Sequence, residues 1–202
     1  MNDFGAVVRR RRMCRSFRPE PIDPDLVDGL VDLASRAPSA GKSQGWHLVV
    51  LEGADTDRFW RHSFPESRRD GFAWPGLFQA PVIALGFADP DAYVRRYAEA
   101  DKRATGLGSG SDAWPTPYWT IDASMALMTL LLAAEDEGLG ALFFAVFHGE
   151  RQVRLELGIP DDLQLLGAIA LGWPADDASE RAGRSATRRR RGVAEIVHRG
   201  GW

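Results

Sequence analysis

The run ASMALMTLLLAA, residues 123–134, constrains this chain more than any other stretch. It predicts a helix over residues 121–137, closed by Gly138, whose apolar side chains point in every direction around a 3.6-residue turn. A helix apolar all round is buried on every side. In a chain of 202 residues, that places it at the centre of a domain or against a second subunit. It is too short to cross a bilayer.

The flanking sequence supplies layers to cover such a helix. Residues 80–88 (APVIALGFA), 140–147 (GALFFAVF) and 163–173 (LQLLGAIALGW) are nearly continuous apolar runs, the mark of strands buried on both faces. Residues 46–51 (WHLVVL) predict a further strand. Asp3 caps a short helix carrying Val7 and Val8. Asp23, followed by Pro24, opens a helix with Leu26, Leu30 and Leu33 on one face, and Pro38 stops it. Asp55 or Thr56 starts another helix through Trp60, residues 89–103 predict a polar one, and residues 153–157 a short one closed by Gly158. VAEIVH, residues 193–198, reads as one more strand. Helices and strands interleave without regular alternation. The prediction is a single α+β domain over residues 1–202, three layers deep, with a mixed central sheet flanked by helices.

Composition narrows the function. The net charge of −3 argues against a chain-wide nucleic-acid role. The single cysteine, Cys14, allows no internal disulfide and fits a reducing compartment. MNDFGAVVRRRR at the start carries no apolar run of signal-peptide length. A soluble cytoplasmic protein that uses neither membrane nor nucleic acid is the expectation. His47, His148 and His198 show no metal-site spacing, so no metal is expected. TGLGSGSDA, residues 105–113, reads as a flexible loop, because it lacks the strand–turn–helix setting of a dinucleotide fingerprint.

Positive charge is concentrated in two clusters. Six of the ten residues from position 9 to 18 are Arg, and four more stand together at 188–191. Either cluster alone reads as a solvated face, or as arginines ending a helix. The first, however, leads through one helix to APSAGKSQGW, residues 37–46, a small-residue loop that lets backbone amides approach a ligand. Guanidinium groups followed by such a loop suit an anionic planar cofactor.

These residues carry a family resemblance. RRMCRSF (residues 11–17), APSAGKSQGW, Gly138-Leu139-Gly140, Leu157-Gly158-Ile159-Pro160 and Gly172-Trp173-Pro174 occur in the order found in the FMN-dependent nitroreductases. The chain resembles that family along most of its length. The resemblance implies that Arg11 meets the FMN phosphate, that Arg12 and Met13 face the cofactor, and that Arg15 lies beside flavin N1 and O2. It places Pro38, Ser39, Lys42 and Gln44 in the loop touching the ring or ribityl chain. It sets the backbone around Phe143, Ala145 and Val146 toward flavin N5, and it completes the phosphate site with Arg188 and Arg190. Met13, Lys42 and Gly45 stand where the family commonly has Ser, Asn and Pro.

The function so implied is transfer of hydride from NAD(P)H through FMN to a small organic acceptor of nitroaromatic, quinone or enone type. No catalytic side chain is required, since the cofactor carries the chemistry. The alternative is a flavin-binding or sequestering protein without turnover. Trp114, Tyr118 and Trp119, around a Pro-rich turn, read either as ordinary core or as walls of the substrate pocket. The family also implies a homodimer, with residues 192–202 as an arm toward the partner.

Overall fold

Local capping sets the first elements. The computed structural model describes residues 3–178, 183 and 187–202. Asp3 accepts hydrogen bonds from the amides of Gly5 and Ala6 and starts helix α1, Phe4–Arg10. Asp23 accepts from the Asp25 amide, and Pro24 supplies the fixed φ at the head of α2, Pro24–Ala34. There follow β1 (Trp46–Glu52), α3 (Thr56–Ser63), β2 (Val82–Ala88), α4 (Pro90–Tyr97), α5 (Tyr118–Asp136), β3 (Gly140–Phe144), α6 (Glu150–Leu157) and β4 (Gln164–Gly172).

The strands form one sheet in the order β1-β2-β4-β3, each pair antiparallel. The parallel component expected of a mixed sheet is reduced to an isolated bridge between Met13 and Ala141. Period-two alternation divides the core between the two faces. Val82, Ala84, Ile169 and Leu171 pack with α2 and α5, while Ile83, Leu85, Phe87, Ala168 and Ala170 pack toward Phe59, Trp60 and Val153. Every residue of β2 is buried, as a strand covered on both faces requires. Three layers result, with α2 and α5 on one side of the sheet and α3 and α6 on the other.

Three expectations are corrected by the structure. The polar helix predicted to residue 103 ends at Tyr97. Both carboxylate oxygens of Asp101 take the Arg96 guanidinium at 2.7 Å, folding the chain back on the helix end. The strand predicted to residue 147 stops at Phe144, which pairs with Ala168. Next to that pair β4 has an irregular register against β2 and Gly167 has φ 153°, so the ladder has no straight continuation. VAEIVH forms a one-turn 3₁₀ helix, Val193–Glu195, and not a strand. The Glu195 carboxylate accepts from the Gly192 amide and pairs with Arg189, which closes the turn.

Helix α5 is not enclosed within one chain. Tyr118, Ile121, Met125 and Met128 are 36–41% exposed, all on one face. Asp122, one turn on from Tyr118 at the edge of that face, is buried. No helix among the described residues is long and apolar enough to cross a membrane.

Candidate functional site

The end of β3 opens a cavity of about 390 Å³. One wall is the chain from Leu142 to His148, and Arg15 lies beside it. The other wall comes from α3 and the irregular segment behind it: Phe59, Trp60, Phe64, Phe72, Trp74 and Phe78. These rings support one another. Trp60 stacks on Phe144 at 5.9 Å, and Phe64, Phe72 and Phe78 meet at 4.8–5.3 Å.

Polar groups with donors to spare edge the cavity. Beyond the end of β3, the amides of Val146, Phe147 and His148 donate to no backbone carbonyl among the described residues. The Arg15 guanidinium is half-buried, with its carbon 5.3 Å from the Trp74 ring centroid. It donates to the Met13 carbonyl at 3.3 Å and meets no carboxylate among the described residues. The indole N–H of Trp60 is buried with no hydrogen-bond partner. An unpaired buried donor such as the Trp60 indole costs about 1–3 kcal/mol, so a ligand offering an acceptor here gains by meeting it.

A second group forms around the small-residue loop. Gly41, Lys42 and Gln44 have φ of 62°, 58° and 53°, the left-handed region that costs energy for residues other than Gly. Asp122, buried on α5, holds this turn in place. Its carboxylate accepts from the Ala40 amide and from the Tyr93 hydroxyl, both at 2.7 Å. Ser39 Oγ accepts from the Gln44 amide at 2.9 Å, and Arg96 Nε donates to the Gly41 carbonyl at 2.8 Å. Burial, with the neighbouring Asp122 carboxylate, pushes the Tyr93 phenol above its usual range. Gly45 is also explained: a Cβ there would lie 2.7 Å from the Asp89 carbonyl oxygen and from the Tyr93 ring.

The predicted residues therefore fall into separate places on one chain. Arg15, Phe143, Ala145 and Val146 share the large cavity. Pro38, Ser39 and Gln44 line a small cleft with Tyr93 and Asp122, and Lys42 is exposed beside it. Arg11 is the C-cap of α1 and half-buried. Arg12 turns back on the carbonyls of Arg9, Arg10 and Arg11. Met13 is held against β3 by its bridge to Ala141. Arg188 and Arg190 are exposed and form no ion pair among the described residues, whereas Arg189 between them is taken by Glu195.

The three aromatics proposed for the substrate pocket do not line the cavity. Trp114 is buried among Tyr93, Tyr97, Tyr118 and Trp119, and its Nε1 donates to the Leu107 carbonyl at 3.0 Å. Trp119 Nε1 donates to Gln164 Oε1 at 3.1 Å. Tyr118 stays exposed on the open face of α5. Asp122 is the residue that sequence reasoning missed. Its signal was available: a lone carboxylate just ahead of the uncharged run of α5. Cys14 is buried with its Sγ donating to the Ser16 carbonyl, and burial pushes its thiol up, as for a structural cysteine.

Comparison with known proteins gives consistent matches. Residues 8–173 match the model of the nitroreductase family. A 5,6-dimethylbenzimidazole synthase of Rhodospirillum rubrum is 31% identical over 186 residues, covering 85% of this chain and 82% of that protein. An NADH dehydrogenase of Thermus thermophilus is 30% identical over 191 residues, covering 87% and 88% respectively. Among solved structures, a nitroreductase family protein from Streptococcus pneumoniae superposes with a TM-score of 0.73 at 21% identity, covering 97% of this chain and 99% of that one.

Proposed function

The chain belongs to the nitroreductase family, and on that premise we propose that it is an FMN-dependent oxidoreductase passing hydride from NAD(P)H to a small organic acceptor. The observation that carries this reading is the cavity wall where, among the described residues, the Arg15 guanidinium meets no carboxylate and the amides of residues 146–148 donate to no backbone carbonyl. Donors without carboxylate partners along this wall fit the polar edge of a flavin. Bound FMN supplies the redox chemistry, taking two electrons and a proton from NAD(P)H and releasing them to the acceptor. The chain binds, orients and shields. Arg15 offers a fixed cation where negative charge develops on reduction. Arg11, with Arg188 and Arg190, holds the phosphate, while Arg12 and Met13 lie against the cofactor. Pro38, Ser39, Lys42 and Gln44 form the loop set by Asp122. In this reading, cavity and loop complete one site across a homodimer.

The test is the absorption spectrum of the purified protein, followed by anaerobic addition of NADH or NADPH. A flavin spectrum that bleaches with either reductant is expected. A protein that takes up no FMN overturns the proposal. A flavin-loaded protein that no nicotinamide reduces assigns it to flavin binding without turnover.

Arg11→Ala should weaken FMN by about ten-fold or more. A charge-assisted hydrogen bond to phosphate contributes about 1.5–3 kcal/mol, and 1.4 kcal/mol is a factor of ten. FMN titration with fluorescence quenching measures it. Unchanged affinity in both this variant and an Arg188/Arg190 double variant would remove the arginines from the phosphate site.

A further inference from the structure

We infer that the acceptor taken by the large cavity is a planar aromatic anion, with Arg68 as the residue that selects its charge. The inference rests on the flavin reading above, which within this cavity uses Arg15 and the wall at residues 143–148. The opposite wall is left over. It presents Phe64, Phe72, Trp74 and Phe78, faces on which a flat ring stacks in offset or edge-on geometry. The volume, about 390 Å³, lies within the range of small-molecule sites.

The charge of the lining sets the class. Arg15 and Arg68 both line the cavity, and no Asp or Glu does. Arg15 is committed to the cofactor in the flavin reading. Arg68 is not, and its guanidinium carbon sits 5.6 Å from the Phe64 ring centroid. Arg68 is exposed, and among the described residues its guanidinium forms no hydrogen bond and no ion pair. Its neighbours Glu66 and Asp70 form none with it either. Arg69 is turned elsewhere, with its guanidinium over Phe78 at 4.4 Å and its Nε donating to the Phe64 carbonyl. Several other arginines are paired, as Arg10 with Glu135, Arg36 with Asp32, Arg58 with Glu156 and Arg96 with Asp101. A planar guanidinium laid on an aromatic wall with its donors uncommitted matches a carboxylate or similar oxyanion carried on a ring. A cationic acceptor would meet two like charges. The unpaired indole N–H of Trp60 on the same wall adds a further donor and no acceptor.

The experiment compares 3-nitrobenzoate with 3-nitrobenzamide, which share ring and nitro group and differ in charge. For the wild-type holoenzyme, kcat/KM should favour the carboxylate. Arg68→Gln should lose about ten-fold on the carboxylate, the size of one charge-assisted hydrogen bond, and change little on the amide. Arg68→Glu should reverse the preference. FMN content and anaerobic reduction by NAD(P)H should be unaltered in both variants. Equal losses on both acceptors, or none on the carboxylate, overturn the inference. Loss of FMN from Arg68→Gln also overturns it and moves Arg68 to the cofactor. A second readout is independent of turnover: benzoate against benzamide, titrated by quenching of tryptophan fluorescence, since Trp60 and Trp74 line the cavity. If the protein holds no FMN, the flavin reading fails by itself. Tighter binding of benzoate, lost in Arg68→Gln, would still establish the anion site, and equal binding of the two would refute it.

Discussion

Asp122→Leu is expected to destabilise the protein by about 2–6 kcal/mol and to release the loop at residues 38–45. The carboxylate accepts from the Ala40 amide and the Tyr93 hydroxyl, and leucine leaves both donors unmet at about 1–3 kcal/mol each. Leucine restores some apolar burial and removes a buried charge, so the lower half of that range is the firmer expectation. The loop amplifies the loss. Lys42 and Gln44 hold positive φ only because the surroundings over-determine it, and Asp122 is the anchor reaching that turn from the core. Tyr93→Phe provides the comparison. It removes one partner, leaves the Ala40 amide satisfied, and should cost about 1 kcal/mol. Urea midpoints and amide exchange at residues 39–44 measure both. If Asp122→Leu unfolds at the same midpoint as Tyr93→Phe, with the loop equally protected, the carboxylate is not the anchor. Loss of FMN from Asp122→Leu, with a smaller loss from Tyr93→Phe, would tie the same loop to the cofactor.

What the sequence disclosed, and what it hid, follows from the range of the interactions involved. Asp3, Asp23 and Pro24 declared two helix starts because capping is settled within three residues. Residues 82–88 and 164–172 declared buried strands because both faces are apolar. The end of β3 was not legible, because it depends on an irregularity in the register of a strand more than twenty positions later. The wall at Phe64, Phe72, Trp74 and Phe78 read as an irregular aromatic stretch, since nothing local says that four rings will meet. Trp114 read either as core or as a pocket wall from its Pro-rich setting, because its packing on Tyr93 and Tyr97 is long-range. Asp122 showed the opposite pattern, a visible anomaly whose partners Ala40 and Tyr93 lie 82 and 29 positions away.

Met125→Glu with Met128→Glu should convert a dimer into a monomer that does not retain FMN. Tyr118, Ile121, Met125 and Met128 recur at helical spacing on α5 and stand open in the single chain. The arm beyond residue 192 is open as well, with Val193, Ile196, Val197 and Trp202 exposed. Each large apolar side chain gains about 1.5–3 kcal/mol when fully buried, so leaving this row wet forgoes several kcal/mol per chain. A second copy covers it at once, because a two-fold interface presents the same patch on both sides. Obligate interfaces of that kind bury roughly 2,000 Å² or more and are apolar. Two glutamates per chain would bring four carboxylates together in such an interface, each facing a desolvation cost without a cation to offset it. Folding and association are linked in such dimers, so cofactor retention should fall with the dimer. Leu155→Glu is the control, since Leu155 is equally apolar and more exposed, on α6, on the far side of the sheet. Light scattering at micromolar concentration should find a dimer for the wild type and the control, and a monomer for the α5 variant. A wild type that is a stable, flavin-loaded monomer would leave the open face of α5 without a partner, and the shared-site reading would fall with it.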